Sequence, residues 1–302
     1  MKLPNNLLTL SCLLSLSMVS HAAQDITQTI LTKSDNNCAS YADTYHSNVN
    51  DINRNTAFSG NLKITTEKNE CILSSNLIPN HDFNDGEYSF PNNVSAQAVE
   101  YRITSTPTFA DQISELSLRQ DNALLLNGVK VDLLAAGCFG IGNGRIGCND
   151  INQAWRYDPM HAANGFRVDS HNAHSQPDGS YHYHGHPNAL FDDTSVNAVI
   201  GFAADGFPIL SSYFSRDNST VRKATSSYRL KSGSRPNTQG QPGGIYDGTY
   251  RDDYEYVAGH GDLDECNGMM INGSYGYYVT DAYPYILTCF KGTPHESFNK
   301  RR

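Results

Sequence analysis

Five of the chain's eleven histidines lie within one short segment that reads HNAHSQPDGSYHYHGHP, from His171 to Pro187. Neutral imidazole is a ligand for zinc, copper, nickel and iron, whereas calcium and magnesium prefer oxygen donors. The segment therefore predicts a site for a transition metal, copper or zinc. The alternative is a set of hydrogen bonds among histidine, tyrosine and backbone groups, with no ion.

The spacing of these histidines indicates how they would converge. Alternate side chains share one face of a β-strand, so His182 and His184 would point one way, with His186 next in the series. The intervening Tyr181 and Tyr183 would point the other way. His171 and His174 precede the turn sequence Pro-Asp-Gly at 177–179, which can fold the segment into a hairpin. That hairpin would bring His174 near His182 and supply three or four nitrogen ligands.

Acidic residues elsewhere offer weaker candidates. Asp205 follows an apolar run and precedes a glycine, which favours a tight turn. It could instead orient a metal-bound histidine through the free ring nitrogen. Asp264 and Glu265 stand beside Cys266 and could act as an oxygen ligand or a general base near bound water. A solvated acidic loop explains them equally well.

The elements that would hold these residues are short strands. The chain has 302 residues, 18 tyrosines and one tryptophan, and long amphipathic helical patterns are scarce. We expect a mainly β fold, a single domain of short strands with long loops that is stapled by disulfides, either sandwich-like or irregular. The sequence predicts strands at 61–66, 71–77, 98–104, 196–203 and 275–287. It also predicts a hairpin at 123–134 around Asn127-Gly128 and a surface loop at 215–245.

The first residues, MKLPNNLLTLSCLLSLSMVSHAAQ, resemble a secretory signal peptide that is cleaved after Ala22 or Ala23. The apolar run in this segment is shorter than the roughly 20 residues that a membrane span needs. No other part of the sequence has an apolar run that would predict a membrane span. The domain plan is therefore a signal peptide at 1–22, a polar N-terminal extension at 23–60 and one domain at 61–302. We expect the protein to be secreted or periplasmic.

Charge and cysteine content narrow the function further. The formal net charge is −9, which argues against a nucleic-acid partner. Six cysteines remain after the leader, and an even number in an oxidising compartment predicts up to three disulfides. Six cysteines allow 15 pairings and the sequence does not choose among them, although proximity favours Cys38–Cys71, Cys138–Cys148 and Cys266–Cys289. A thiolate metal site is disfavoured because no CxxC spacing occurs.

Several ordered motifs resemble the YHYH domain family of exported proteins. The centre of the likeness is AHSQPDGSYHYHG, with LLLNGVKVD before it and IGFAADGFPIL, LDECNG and YVTDAYPYILTCFKGTP after it. Upstream, SSNLIPNHDF places His81 and Asp82 in a family position, so His81 joins the candidate metal ligands. The resemblance spans about residues 71 to 294. It implies fold and compartment more than a reaction.

One departure from the family pattern concerns a second motif. Relatives often carry Tyr-His-Tyr after the Glu-Cys-Asn-Gly block, where this chain has Gly276 between Tyr275 and Tyr277. His260 lies nearby in GHGDLDEC and is our candidate substitute ligand.

Three functions follow as hypotheses. The first is a protein that binds copper or zinc through the His171–His186 cluster. The second is a metal-dependent hydrolase or oxidoreductase, in which the ion keeps an open position for water. The third is a metal-free module that recognises a protein or glycan partner at a cell surface or in a matrix.

Overall fold

The structure is a computed structural model that describes residues 22–217 and 220–300, so the proposed signal peptide lies outside the described residues. Within that part of the chain the fold is mainly β, with three single-turn 3₁₀ helices, one slightly longer one and no α-helix. None of the described helices is long and apolar enough to cross a bilayer. The fold class predicted from the sequence is confirmed.

The strands are, in chain order, β1 Gln24–Asp25, β2 Asp43–Asp51, β3 Thr56–Glu67, β4 Glu70–Ser75, β5 Val99–Thr104, β6 Ser114–Glu115, β7 Ala123–Leu125, β8 Lys130–Val131, β9 Ala173–Ser175, β10 Tyr181–Tyr183, β11 Val199–Ala203, β12 Pro208–Leu210, β13 Tyr213–Phe214, β14 Arg222–Lys223, β15 Tyr228–Leu230, β16 Tyr254–Tyr256, β17 Gly268–Ile271, β18 Ser274–Tyr278 and β19 Cys289–Phe290. The 3₁₀ helices are Cys38–Tyr41, Ala162–Asn164, Arg251–Asp253 and Glu296–Phe298.

The first sheet is a five-stranded meander in the order β1-β2-β3-β4-β5. Residues 23–60, expected as a polar extension, contribute β1, β2 and the start of β3 to it. Strand β2 could not be predicted because two of its buried residues are polar. Ser47, Val49 and Asp51 are buried, while Asn48 and Asn50 are exposed. The division of the chain into domains stays a prediction.

The second sheet has eight strands in the order β17-β18-β12-β11-β7-β8-β10-β9, and it carries the histidine segment at one end. The predicted Asn-Gly hairpin is confirmed, because β7 and β8 pair antiparallel around Gly128, whose φ of +85° suits glycine. Strand β9 pairs only with β10 and forms the edge of this sheet.

Three small two-stranded sheets complete the fold, pairing β13 with β14, β15 with β16, and β6 with β19. Two of the predictions need correction here. The loop expected over 215–245 contains β14 and β15, because aromatic partners at Tyr213 and Tyr256 pair with its otherwise polar residues. The strand expected over 275–287 ends at Tyr278, and a turn around Pro284 follows.

One cluster of buried side chains joins the two large sheets into a common core. Tyr41 packs edge-on against Phe202 of β11, with ring centroids 5.7 Å apart. Ser75, at the end of β4, donates a hydrogen bond of 2.6 Å to the Gly128 carbonyl in the β7–β8 turn. The first sheet therefore fixes the hairpin that places β8 beside the histidine strand.

The three disulfides are Cys38–Cys71, Cys138–Cys148 and Cys266–Cys289, the pairing that sequence proximity favoured. The middle bridge closes a glycine-rich loop, CFGIGNGRIGC.

Candidate metal centre

The histidine segment folds as the predicted hairpin. Strands β9 and β10 pair antiparallel, with His174 directly opposite His182. The turn between them is closed by a hydrogen bond of 2.9 Å from the Gly179 amide to the Gln176 carbonyl. Gly179 has a φ of +86°, a conformation that a side chain would strain. The turn chemistry of the sequence thus sets the register that brings the two histidines together.

Three imidazoles converge at this hairpin: those of His174, His182 and His184. The Nε2 atoms of His182 and His184 are 2.9 Å apart, and those of His184 and His174 are 3.1 Å apart. An ion bound about 2.0–2.1 Å from each of two nitrogens, at an angle of roughly 90–110°, separates them by about 2.9–3.4 Å. Two of the spacings match that requirement and all three ligand atoms lie within 4.8 Å of one another, so this histidine triad could hold one metal ion.

The backbone sets the tautomer of the first ligand. His174 Nδ1 donates a hydrogen bond of 2.7 Å to the Phe166 carbonyl, which leaves Nε2 with its lone pair. Hydrogen bonds of this kind orient metal-bound histidines. Burial lowers the pKa of His174, and it lowers the pKa of His182 and of His184 well below 6.5. The rings are therefore neutral near pH 7, the state in which imidazole binds metals.

Hydrogen bonding alone satisfies this arrangement poorly. Because His174 Nε2 carries no proton, a single N–H of His184 can serve only one of its two neighbours well. His182 Nδ1, on the other side of its ring, has no hydrogen-bond partner among the described residues. A cation at the centre would accept the lone pairs of all three Nε2 atoms at once, with the proton of each ring on Nδ1.

The triad lies on the wall of a cavity of about 570 Å³. That volume falls within the range of small-molecule sites. Half of the other lining residues are apolar, and they come from several loops: Pro91, Leu118, Leu134, Ala135, Ala136, Ile146, Phe166 and Pro177. Ile146 belongs to the loop that the Cys138–Cys148 disulfide closes. An ion held by these three histidines would keep a coordination position free, and this cavity would give that position room for a further molecule.

Strand β8 adds polar groups that the sequence analysis missed. It runs parallel to β10 with Lys130 opposite His182 and Val131 opposite Tyr183. Because side chains alternate, Lys130 and Asp132 lie on the same face as the triad. Asp132 lines the cavity with the three histidines. A signal was present, since Lys130 and Asp132 interrupt an apolar run two residues apart, but their strand partner could not be inferred.

The tyrosines of the same strand point the opposite way, as predicted. Tyr181 and Tyr183 are fully buried. Tyr181 donates a hydrogen bond of 2.8 Å to Asp169, and its ring packs against Phe83 with centroids 5.4 Å apart. Tyr183 accepts a hydrogen bond of 2.9 Å from Asn127. These rings belong to the core and are not available to a partner at the surface.

The model of one protein family, described as YHYH protein, matches residues 100–292, which is more than half of the chain. The chain belongs to the YHYH protein family. The match includes β8, β9 and β10 and therefore the whole triad. In this YHYH protein the two histidines of the motif face the cavity, and its two tyrosines fill the core. No curated protein and no solved structure matches the chain.

The family match begins after His81, the upstream candidate ligand. His81 Nδ1 donates to the Asp82 carbonyl at 2.7 Å, and Nε2 accepts from the Tyr183 hydroxyl at 2.6 Å. Its ring lies against that of His171, with centroids 4.0 Å apart. Both histidines are therefore on the tyrosine face of β10, and the structure does not bring them into the triad.

The remaining candidate ligands also lie outside the triad. His186 Nε2 is 3.5 Å from Asp281, and its ring packs on Phe191. Asp205 is a buried turn residue whose carboxylate accepts hydrogen bonds from Tyr277 and from the Gly292 amide. Its Oδ1 also accepts from the Phe207 amide at 3.3 Å within the turn, and none of these contacts involves a histidine. His260 is exposed.

The acidic pair proposed as a base is placed elsewhere too. Asp264 and Glu265 both form ion pairs with Lys291, at 3.2 and 2.6 Å, and neither lines the cavity beside the triad. Gly276, the position at which the family resemblance led us to expect a histidine, lies in β18. A side chain there would collide with Leu210, since a Cβ would come within 2.2 Å of it. The triad is complete without a ligand from either region.

Proposed function

We propose that this YHYH protein binds a transition metal ion, copper or zinc, through the Nε2 atoms of His174, His182 and His184. The convergence of three neutral imidazoles at spacings of 2.9 and 3.1 Å supports the proposal most directly. Imidazole suits both metals. The Phe166 carbonyl adds a support that surface histidines lack, because it fixes the ring of His174 for coordination.

The proposed place of action is outside the cytoplasm, in the periplasm or the medium. Three disulfides fit an oxidising compartment, and the N-terminal sequence resembles a signal peptide. N-terminal sequencing of protein recovered from outside the cell tests this, and we expect a mature chain that begins at Ala23 or Gln24. Recovery of the full-length chain in the cytoplasm would contradict it.

The experiment that tests metal binding uses the mature chain without an affinity tag. Metal content is measured by mass spectrometry, and affinities for zinc and copper by titration calorimetry. We expect one ion per chain, and at least about a hundredfold weaker binding in the His182→Ala/His184→Ala variant, as two of three ligands are lost.

A matched variant, His186→Ala/His260→Ala, removes two histidines that lie outside the triad. It should bind metal as the unmodified protein does. Full metal occupancy in the His182→Ala/His184→Ala variant, or equal losses in both variants, would rule out the triad as the site.

The metal-free interaction module receives less support from the histidine segment. That function needs tyrosine and histidine rings at the surface, whereas Tyr181, Tyr183 and His182 are buried. Denaturation of the protein with and without a chelator separates the two ideas. A metal site predicts lower stability after chelation, and a metal-free module predicts no change.

A further inference from the structure

The carboxylate of Asp132 has a position that the metal-binding function does not explain. It lies one residue beyond β8, as His184 lies one residue beyond β10, and the two strands run in parallel register. Its backbone amide extends the ladder by a hydrogen bond of 3.0 Å to the Tyr183 carbonyl. The side chain therefore shares a sheet face and a cavity with the triad without being one of its ligands.

The two oxygens of this carboxylate have different surroundings. Oδ2 accepts hydrogen bonds from Gln176, at 2.7 Å, and from Lys300. Gln176 is itself held by Lys130, whose Nζ donates to Oε1 at 3.1 Å. Oδ1 is buried and has no hydrogen-bond partner among the described residues. One oxygen is fixed by the protein, and the other is a buried acceptor that lacks a partner and that a proton would satisfy.

The cavity indicates what kind of molecule would meet that oxygen. Apart from the triad, half of its lining residues are apolar, and its charged residues balance in sign: Lys300 is paired with Asp132, and Arg145 and Asp178 contribute one charge each. Such a pocket favours a small neutral ligand over an anion. None of the described residues that line it is a tyrosine, and the tyrosines of the YHYH motif face away. The site thus lacks a nearby phenol for redox chemistry and has a carboxylate suited to proton transfer.

We propose that the centre hydrolyses small neutral carboxylic esters, with Asp132 as the residue that accepts the proton of the attacking water. This rests on the proposed metal binding, because a bound ion supplies the Lewis acid that acidifies water and polarises the ester carbonyl. The water oxygen forms a bond to the carbonyl carbon while its proton passes to Oδ1 of Asp132. The ester C–O bond then breaks, and the leaving alkoxide takes the proton back, which yields acid and alcohol.

The test compares the unmodified mature chain with Asp132→Asn, each loaded with zinc, using 4-nitrophenyl acetate and butyrate as probes. Asparagine keeps the shape but accepts no proton at this position. We expect zinc affinity within about threefold of the unmodified protein and kcat/KM lower by about 10²–10⁴-fold, the contribution typical of a general base. Asp132→Glu, which keeps the carboxylate but displaces it, should lose less.

Two further measurements separate proton transfer from a structural role. In cobalt-loaded protein, the pH dependence of the visible absorption reports the environment of the open position without turnover, and Asp132→Asn should shift its midpoint. Asp121→Asn is the matched control, because Asp121 pairs with Lys130 at 3.2 Å in the same network but does not line the cavity. Because Asp121 also lies 3.9 Å from Lys300, this variant should alter the rate and the midpoint, but far less than Asp132→Asn does.

The outcomes are distinguishable. Zinc binding without ester hydrolysis above the level of the His182→Ala/His184→Ala variant overturns the catalytic proposal and leaves the metal site standing. Equal rates in Asp132→Asn and the unmodified protein remove Asp132 as the proton acceptor. Equal losses in Asp132→Asn and Asp121→Asn assign the effect to the charge network. Failure to bind zinc at all overturns both proposals.

Discussion

The two faces of strand β10 differ in how their polar groups are satisfied. On the tyrosine face, the hydroxyls of Tyr181 and Tyr183 meet Asp169, Asn127 and His81, all within the protein. On the histidine face, the Nε2 atoms of His182 and His184 meet other imidazole nitrogens beside a cavity. The tyrosine hydroxyls are satisfied by the protein itself, whereas the three Nε2 atoms of the triad would be satisfied together by a cation.

Because side chains alternate along a strand, one strand can serve the core on one face and a ligand site on the other. Residues on the tyrosine face should control the stability of the fold, and residues on the histidine face should control ligand binding. Variants on each face, measured for both stability and zinc affinity, test whether the two properties are divided in this way.

The largest expected effect is acid destabilisation, to which His81 on the tyrosine face contributes beside the buried histidines of the triad. Burial, and then the neighbouring His171, lower the pKa of His81 to about 3, whereas an unfolded histidine titrates near 6.5. The folded state therefore resists protonation. The stability that neutral His81 contributes to the folded state is fully present above pH 6.5 and is lost as the pH falls toward 3. The free energy of unfolding of the metal-free protein should fall by up to about 5 kcal/mol over that range from His81 alone.

Denaturant unfolding between pH 7 and pH 4 measures this, with His81→Gln as the comparison. Glutamine can still accept a hydrogen bond from Tyr183 but does not titrate. The variant should show a shallower pH dependence than the unmodified protein. Identical slopes would show that His81 is not held neutral by burial.

Truncation of a buried tyrosine comes next in size. Tyr181→Ala should lower the free energy of unfolding by about 3–5 kcal/mol, as expected for loss of a fully buried aromatic ring. Tyr181→Phe removes only the hydroxyl that donates to Asp169 and should cost about 1–3 kcal/mol. Thermal and denaturant unfolding measure both. A change in zinc affinity without a change in stability would break the division between faces.

Metal-linked stability should be smaller and confined to the histidine face. With free zinc at 100 times its dissociation constant, the unmodified protein should gain about 2.7 kcal/mol in its free energy of unfolding. The His182→Ala/His184→Ala variant should gain nothing. Unfolding curves recorded with zinc and with a chelator test this. A gain of equal size in the variant would place the ion elsewhere.

The smallest effect is expected for His260→Ala. His260 is exposed and lies outside the triad, so stability should change by less than about 0.5 kcal/mol and zinc affinity should not change. A loss of zinc affinity on calorimetry would restore His260 as a substitute ligand.

The local part of the site could be predicted from the sequence. Alternation along Tyr181–His184 assigned each side chain to its face, and the Pro-Asp-Gly turn placed His174 opposite His182. These inferences need only neighbouring residues and the period of a strand. The structure does not bring His186 or His171 to the triad, because His186 packs on Phe191 beyond the end of β10 and His171 packs on His81 at the opposite face.

The long-range part could not be predicted. The sequence indicated a hairpin at Asn127-Gly128 but not that β8 would lie parallel to β10, so Asp132 was overlooked while Asp264 and Glu265 were considered. His81 and His171 share one small region although 90 positions separate their numbers, and the core between them decides that contact. Packing of distant segments leaves no periodic trace in a single sequence.

Strand β9 is the edge strand of its sheet, and an ion held by His174 on β9 and by His182 and His184 would cross-link that strand to its neighbour β10. Unpaired edge strands are where the sheets of separate molecules pair and aggregate. Without the ion, detachment of the three residues of β9 would expose the backbone of β10 as a new unpaired edge. Loading the centre would then protect the molecule against self-association as well as equip it to act.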